Sequence, residues 1–228
     1  MKVFSELTNL IFQRKCAICS EINTQLSLEL GICSLCSRGL QSRRNIANRG
    51  SIRIFAGSEF SPKISHIIIA AKEENNKFAR AILAEYLTTA LNLATSAEKI
   101  VLIPIPSRKA ADRKRGFAHV IKLINCLEDR NRDRQFIVID ALRHTRKIKD
   151  QSTLNINERE LNMSGAFGID NRASGRIKEI DIANSPIYLV DDLVTTGSTI
   201  RAANSALISL RVGIKGVLAS CATNGFTH

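Results

Sequence analysis

Apolar residues along this chain fall into two kinds of run, and their alternation predicts the architecture. Residues 51–57 (SIRIFAG) alternate apolar and polar with the period of two that suits a strand. Residues 61–72 and 76–95 carry apolar positions at helical spacing. In the second of these, Phe78, Ile82 and Tyr86 stand four apart beside Ala79, Leu83, Leu87 and Leu91, a face that serves for core packing. Residues 99–105 (KIVLIPI) and 135–141 (QFIVIDA) are short unbroken apolar runs, as expected of strands buried on both faces of a parallel sheet. Between them, 112–127 reads as a helix with a basic front. A third buried strand is expected at 185–190, a helix at 198–210 and a last strand at 213–220. Strands alternating with helices predict βαβ units and a mostly parallel α/β sheet.

Two stretches break this rhythm. Residues 42–50 (SRRNIANRG) are polar and basic and read as a linker, dividing the chain into an amino-terminal lobe, 1–50, and a larger domain, 51–228. Residues 143–185 are long, polar and weakly patterned, and a loop of that length in a compact domain is often functional or mobile. The amino-terminal residues Val3, Phe4, Leu7, Leu10, Ile11 and Phe12 have helical spacing. Glu6 and other polar residues interrupt them, so a signal peptide is not expected. No run reaches the length of a membrane span, so membrane insertion is not expected and a cytoplasmic location is. Disulfides are rare there.

Composition changes this picture in one respect. Charged and hydrophobic fractions are ordinary, but 33 Lys and Arg against 21 Asp and Glu leave a net charge of +12. Such an excess favours an anionic partner, whether a phosphorylated metabolite, nucleic acid or anionic lipid.

The densest chemistry lies at 187–200, where YLVDDLVTTGST is flanked by isoleucines. The pattern is strand, acidic pair, hydroxyl-rich turn, helix. Gly197 lets backbone N–H groups close on a phosphate with no Cβ in the way. Thr195, Thr196, Ser198 and Thr199 offer hydroxyl donors, and the helix N-terminus adds its partial positive charge. Asp191 and Asp192 cannot favour a phosphate, but they can accept hydrogen bonds from the two hydroxyls of a ribose. Together these features suit a ribose 5-phosphate. Upstream, Pro104 and Pro106 make a rigid turn in IPIPS, and Arg108, Lys109, Arg113, Lys114 and Arg115 follow it. Cationic groups at a strand end can neutralise a diphosphate.

The run at 187–200 resembles the motif with which type I phosphoribosyltransferases bind 5-phosphoribosyl 1-pyrophosphate (PRPP). The resemblance implies a type I phosphoribosyltransferase fold. It places Asp191 and Asp192 on the ribose hydroxyls and Thr195, Thr196, Gly197, Ser198 and Thr199 on the 5′-phosphate. Pro106, Ser107 and Arg108 would line the pyrophosphate side, and Arg115 would stabilise the departing pyrophosphate. Mg²⁺ would enter with PRPP, held mainly by its oxygens and by water. The pattern RGFA at 115–118, with P-x-P-S upstream, narrows the resemblance to the ComF family of competence-associated phosphoribosyltransferase-like proteins. Asp150, Gln151 and Leu154, then Arg159, Asn162 and Gly165-Ala166-Phe167, resemble a further segment of that family. Where the family usually has Asn-Gln after RGF, this chain has Ala118 and His119, so any amide contact made there is altered. His119 could serve as a substitute ligand there, but the reading preferred is an ordinary solvent-facing histidine. By the same resemblance 143–151 (RHTRKIKDQ) is the hood that closes over PRPP and excludes water.

Cys16-x₂-Cys19 and Cys33-x₂-Cys36 are thirteen residues apart, a spacing that can set four thiolates around one structural Zn²⁺. Cys126 and Cys221 read as buried free thiols. Two functions are then expected. One is an enzyme that transfers phosphoribose from PRPP–Mg²⁺ to a nitrogen nucleophile, releasing pyrophosphate, although no residue presents itself as a general base. The other is a non-catalytic competence factor in DNA uptake that keeps the PRPP pocket and binds single-stranded DNA or a helicase. There are two Tyr, nine Phe and no Trp, and several of the Phe read as core, which leaves few exposed aromatic platforms for stacking bases.

Overall fold

A computed structural model describes residues 16, 18–19, 21, 31–37, 40, 45–146, 163, 165–178 and 185–223. The cysteine-bearing segment contributes one short helix, α1 (Ser34–Ser37). Strands β1 (Asn45–Arg49) and β2 (Ile52–Glu59) form a hairpin, and helices α2 (Pro62–Glu73) and α3 (Lys77–Ala94) follow. Next come β3 (Lys99–Pro104), α4 (Lys109–Arg115), α5 (His119–Arg130) and β4 (Gln135–Val138). The chain continues through β5 (Leu142–His144), β6 (Phe167–Ile169), α6 (Asn171–Lys178), β7 (Ile187–Val194), α7 (Ser198–Ile208) and β8 (Gly216–Ala222).

The main sheet has the order β1-β2-β8-β7-β3-β4. All neighbouring pairs run parallel except β1 with β2. β5 and β6 make a separate antiparallel pair. Alternation along the strands feeds two cores. Ile100, Leu102, Tyr188, Val190 and Leu218 face α2, α3 and α5. Val101, Ile103, Ile187, Leu189 and Val217 face β5, β6, α6 and α7. The architecture is therefore α/β, a mostly parallel mixed sheet covered on both faces by helices, as the unbroken apolar runs imply.

The helix ends follow local chemistry. Ser61 caps α2 by accepting from the Ile64 N–H at 3.4 Å, with Pro62 in the first turn. Asn76 caps α3 by accepting from the N–H groups of Phe78 and Ala79 at 3.0 and 3.1 Å. Three expectations need correction. The helix expected at 112–127 is two helices, because Gly116 turns left-handed (φ 75°) and closes α4 with its N–H on the Asp112 carbonyl. The expected linker at 42–50 is, over Asn45–Arg49, the edge strand of the main sheet. The strand expected at 185–190 runs on to Val194, so the two aspartates lie within it. The amino-terminal helix, most of the hood (147–151) and the motif residues from Asp150 to Asn162 lie outside the described residues. Among the described residues, no helix is long and apolar enough to cross a membrane.

Candidate functional site

From β3 the chain leaves the sheet toward β4, and from β7 it leaves toward β8 on the other side. The crevice between β3 and β7 is therefore the point where the strand order reverses, and parallel sheets bind ligands outside the carboxyl ends of such strands. Here Pro104 pairs with Val190, and the Ile105 N–H donates to the Val190 carbonyl at 2.9 Å. That register brings the turn at 105–107 beside Asp191 and Asp192, joining two motifs more than eighty residues apart in sequence.

Successive side chains of a strand point to opposite faces. Asp192 continues the row of Tyr188 and Val190 and points to the face covered by α2 and α5. It is buried, 4% exposed, with Oδ2 3.1 Å from Lys72 Nζ and 3.4 Å from His119 Nε2. Burial alone would raise its pKa, but the Lys72 ammonium and the neighbouring imidazole overcome this and hold the carboxyl well below the usual carboxylate range. The same carboxylate pushes the Lys72 pKa up. Asp191, half-buried, accepts from the Asp192 N–H at 2.9 Å. Its pKa is raised well above the ordinary value by burial and by the negative charge of Asp192. The pair is thus electrostatically split: one carboxyl is held ionised and the other is biased toward the neutral form.

Beyond β7 the loop at 195–197 is held from below. Arg49, at the end of β1 and 4% exposed, donates Nε–H to the Thr195 carbonyl at 2.7 Å and an Nη2–H to the Thr223 carbonyl at 2.9 Å. Arg201, on α7, donates to the Thr196 carbonyl at 3.0 Å. In a trans peptide the N–H points opposite to the C=O. With both carbonyls drawn to arginines, the N–H groups of Thr196 and Gly197 are turned the other way. Gly197 has φ 78°, and a Cβ there would stand 2.8 Å from Arg49 Cβ, so this position requires glycine twice over. Ser198 and Thr199 open α7, and the Thr196 and Ser198 hydroxyls lie 3.3 Å apart. A preformed nest of peptide N–H groups, hydroxyls and a helix N-terminus is suited to an anion.

On the other side of the crevice, Pro106 and Ser107 line a cavity of about 210 Å³ with Lys109, Asp112, His119, Asp140, Arg143 and His144 among its walls. Arg108 occupies the N-cap position of α4. Arg115 does not line this cavity. Its side chain is 3% exposed, and its guanidinium binds Asp112 at 2.8 Å and Glu73 at 3.0 Å, tying α4 to α2. His119 is not solvent-facing, contrary to expectation. It is fully buried at the start of α5, between the cavity and Asp192. His144, in β5, bonds the Pro106 carbonyl through Nε2 at 3.1 Å and stacks 4.7 Å from Phe167.

The four amino-terminal cysteines converge. Their sulfurs all lie within 4.8 Å of one another, and those of Cys19 and Cys33 are 3.9 Å apart. Four thiolates at Zn–S bonds of about 2.3 Å in a tetrahedron have sulfurs about 3.8 Å apart, so the set fits zinc. Backbone N–H groups of Ile18 and Cys33 point at the Cys16 sulfur at 3.5 and 3.4 Å, and that of Cys36 points at the Cys33 sulfur at 3.4 Å. Burial would raise the Cys16 thiol, but the N–H groups of Cys19, Cys33 and Ile18 bring it down to about 7. With four protein ligands such a metal is structural.

No family model matches this chain, and no curated protein matches it either.

Three residues of the site escaped sequence reasoning. Arg49 was hidden in what reads as a linker, and nothing local marks its partners, which lie 146 and 174 residues away. Lys72 sits in the last turn of a helix, where a lysine is ordinary. His119 carried one signal, its place after RGF, but its burial depends on the break at Gly116.

Proposed function

We propose that the β3/β7 crevice binds PRPP with Mg²⁺, and that the protein is a type I phosphoribosyltransferase-like protein of the ComF type. Phosphoribose would pass to a nitrogen nucleophile with release of pyrophosphate. The observation that carries this reading is the meeting, at one reversal of strand order, of an anion nest (195–199), an acidic pair (Asp191, Asp192) and a proline-stiffened turn followed by cationic residues. The nest would take the 5′-phosphate, and Asp191, the more accessible carboxyl, would accept from a ribose hydroxyl. Asp192 would act from below, fixed by Lys72. The turn at 106–108 would face the pyrophosphate. Bound Mg²⁺ would neutralise diphosphate charge. The resemblance to ComF adds a setting in DNA uptake.

Isothermal titration with PRPP–Mg²⁺ tests this reading. Binding by the intact protein is expected, and Asp191→Asn should weaken it at least tenfold, about 1.4 kcal/mol. No binding by the intact protein sinks the proposal. The net charge of +12 favours a second reading, a single-stranded DNA- or helicase-binding factor with the same pocket. That reading requires single-stranded DNA affinity that falls steeply with salt, and no DNA binding at low salt removes the direct nucleic-acid role.

A further inference from the structure

We propose that a hollow at the amino ends of β2 and β8 is a docking site for an acidic segment of a partner protein, one that carries an apolar side chain among its carboxylates. The site lies outside the β3/β7 crevice and does not depend on what the crevice holds.

The hollow measures about 420 Å³, twice the cavity beside Pro106. It opens between the start of β2, the start of β8 and the last turn of α7. Because β2, β8 and β7 run parallel, this is the end of the sheet far from the anion nest. Its apolar surface comes from Ile52, Ile208 and Ile214, and its charges from Arg53 and Lys215. Ile208 is 57% exposed, the most exposed large apolar side chain among the described residues. No acidic residue lines the hollow, and among the described residues neither Arg53 nor Lys215 is paired with one. The crevice cavity differs, since Asp112 and Asp140 there meet arginines.

The walls are set by backbone. A Cβ on Gly216 would stand 2.7 Å from the Arg53 carbonyl oxygen, so β8 can start this close to β2 only with glycine there. Helix α7 ends on two bonds, from the Arg211 N–H to the Ile208 carbonyl at 2.8 Å and from the Val212 N–H to the Leu207 carbonyl at 3.2 Å. A helix closed in this way ordinarily turns on a left-handed glycine. Here the left-handed residue is Arg211, at φ 59°. An arginine in that conformation costs stability that a glycine would not. It adds a third cation two residues before Gly213, on the wall of the hollow. These features choose among anionic partners. No aromatic ring lines the hollow for a base to stack on, and a phosphate chain would leave the isoleucines against charge. A flat bilayer could cover Ile208 but not reach Ile52, which is 7% exposed. A peptide can place one apolar side chain against the isoleucines and its carboxylates on the cations around them, the usual division between the centre and rim of an interface.

The experiment follows the amide ¹H–¹⁵N NMR spectrum of the intact protein during titration with the end-blocked peptide Glu-Glu-Leu-Glu-Glu. Saturable shift changes are expected at Ile208, Gly213, Ile214 and Gly216. Replacing the peptide's leucine by serine should weaken binding about threefold or more, because the isoleucines lose their contact. Arg53→Glu combined with Lys215→Glu should weaken it about tenfold or more. Arg211→Gly separates binding from folding: it should raise the melting temperature by about 2–4 °C and still weaken the peptide about threefold. Equal affinity for the leucine and serine peptides, or shifts spread over other basic surfaces, reduces the hollow to unspecific charge and overturns the proposal. So does the absence of shifts at about 1 mM peptide. Tighter binding of phosphatidylglycerol vesicles or of single-stranded DNA at the same amides, lost in the double variant, assigns the hollow to another partner and overturns it too. Should the double variant unfold, Ile208→Ser takes its place, with weakening of about threefold or more expected and unchanged affinity overturning the proposal.

Discussion

The two adjacent aspartates are chemically unequal, and their inequality has a sign that thermodynamics can read. The Asp191 pKa is higher in the folded chain than its ordinary 3.8, so folding binds a proton there, and ionising the group costs stability as pH rises through that window. Asp192 is the reverse: its folded pKa is depressed, so its contribution is present above its ordinary 3.8 and is lost as pH falls below it. Asp191→Asn should therefore raise the melting temperature at neutral pH by a few degrees, about 1 kcal/mol, while impairing the proposed PRPP binding. Lys72→Met should lower it, because Asp192 is left buried without its cation. Thermal melts across pH 3–8 check both, and an Asp191→Asn protein less stable than the parent at pH 7 would contradict the split. Arg49 belongs to the same scale. Arg49→Ala removes the donors on the Thr195 and Thr223 carbonyls and should cost about 2–3 kcal/mol. It should also weaken the proposed PRPP binding at least tenfold, since the loop loses its support. Unchanged calorimetric affinity would show that the loop holds its shape alone. The motif at 187–200 is legible in the chain because its residues are contiguous. Arg49, Lys72 and His119 are not, because each acts only through a contact with a distant element.

At the scale of elements, local rules carried far. The caps Ser61 and Asn76 and the apolar stripe of α3 set boundaries that the sequence reading missed by a residue or so, since a capping side chain and its N–H partners are near neighbours in the chain. The misjudged elements were decided otherwise. The left-handed turn at Gly116 breaks an otherwise continuous helical pattern, and β1 is a strand only because β2 lies beside it. Such a polar edge strand carries no apolar alternation to betray it. One contact between elements is tight enough to test. Helix α3 lies so close to β2 that a Cβ on Gly57 would stand 1.8 Å from the Tyr86 carbonyl oxygen, backbone against backbone. Neither side can yield by rotating a side chain, so Gly57→Ala should destabilise by more than about 3 kcal/mol. A urea midpoint unchanged from the parent would mean that α3 can move off the sheet.

Over the whole molecule, the cysteine segment does not behave as a bead on a linker. Cys16, Ile18, Ile32, Cys33 and Cys36 share one buried cluster with Phe55, Ile64, Ala79 and Ile82, from β2, α2 and α3. Gly31 approaches α3 so closely that a Cβ would reach within 2.4 Å of the Phe78 ring. A metal that organises four thiolates there also organises one end of the larger core, because its binding energy enters the same cooperative unit. One zinc per chain is therefore expected by elemental analysis, and its removal with a strong chelator should lower the single calorimetric transition of the whole protein. A separate early transition, with the later one unmoved, would instead mean that the segment folds independently. The four ligands should not be equivalent. Cys33 is buried within the shared core whereas Cys19 is exposed, so Cys33→Ser should lower the transition further than Cys19→Ser. Equal losses would mean that only the metal, and not the packing around its ligands, couples the segment to the sheet.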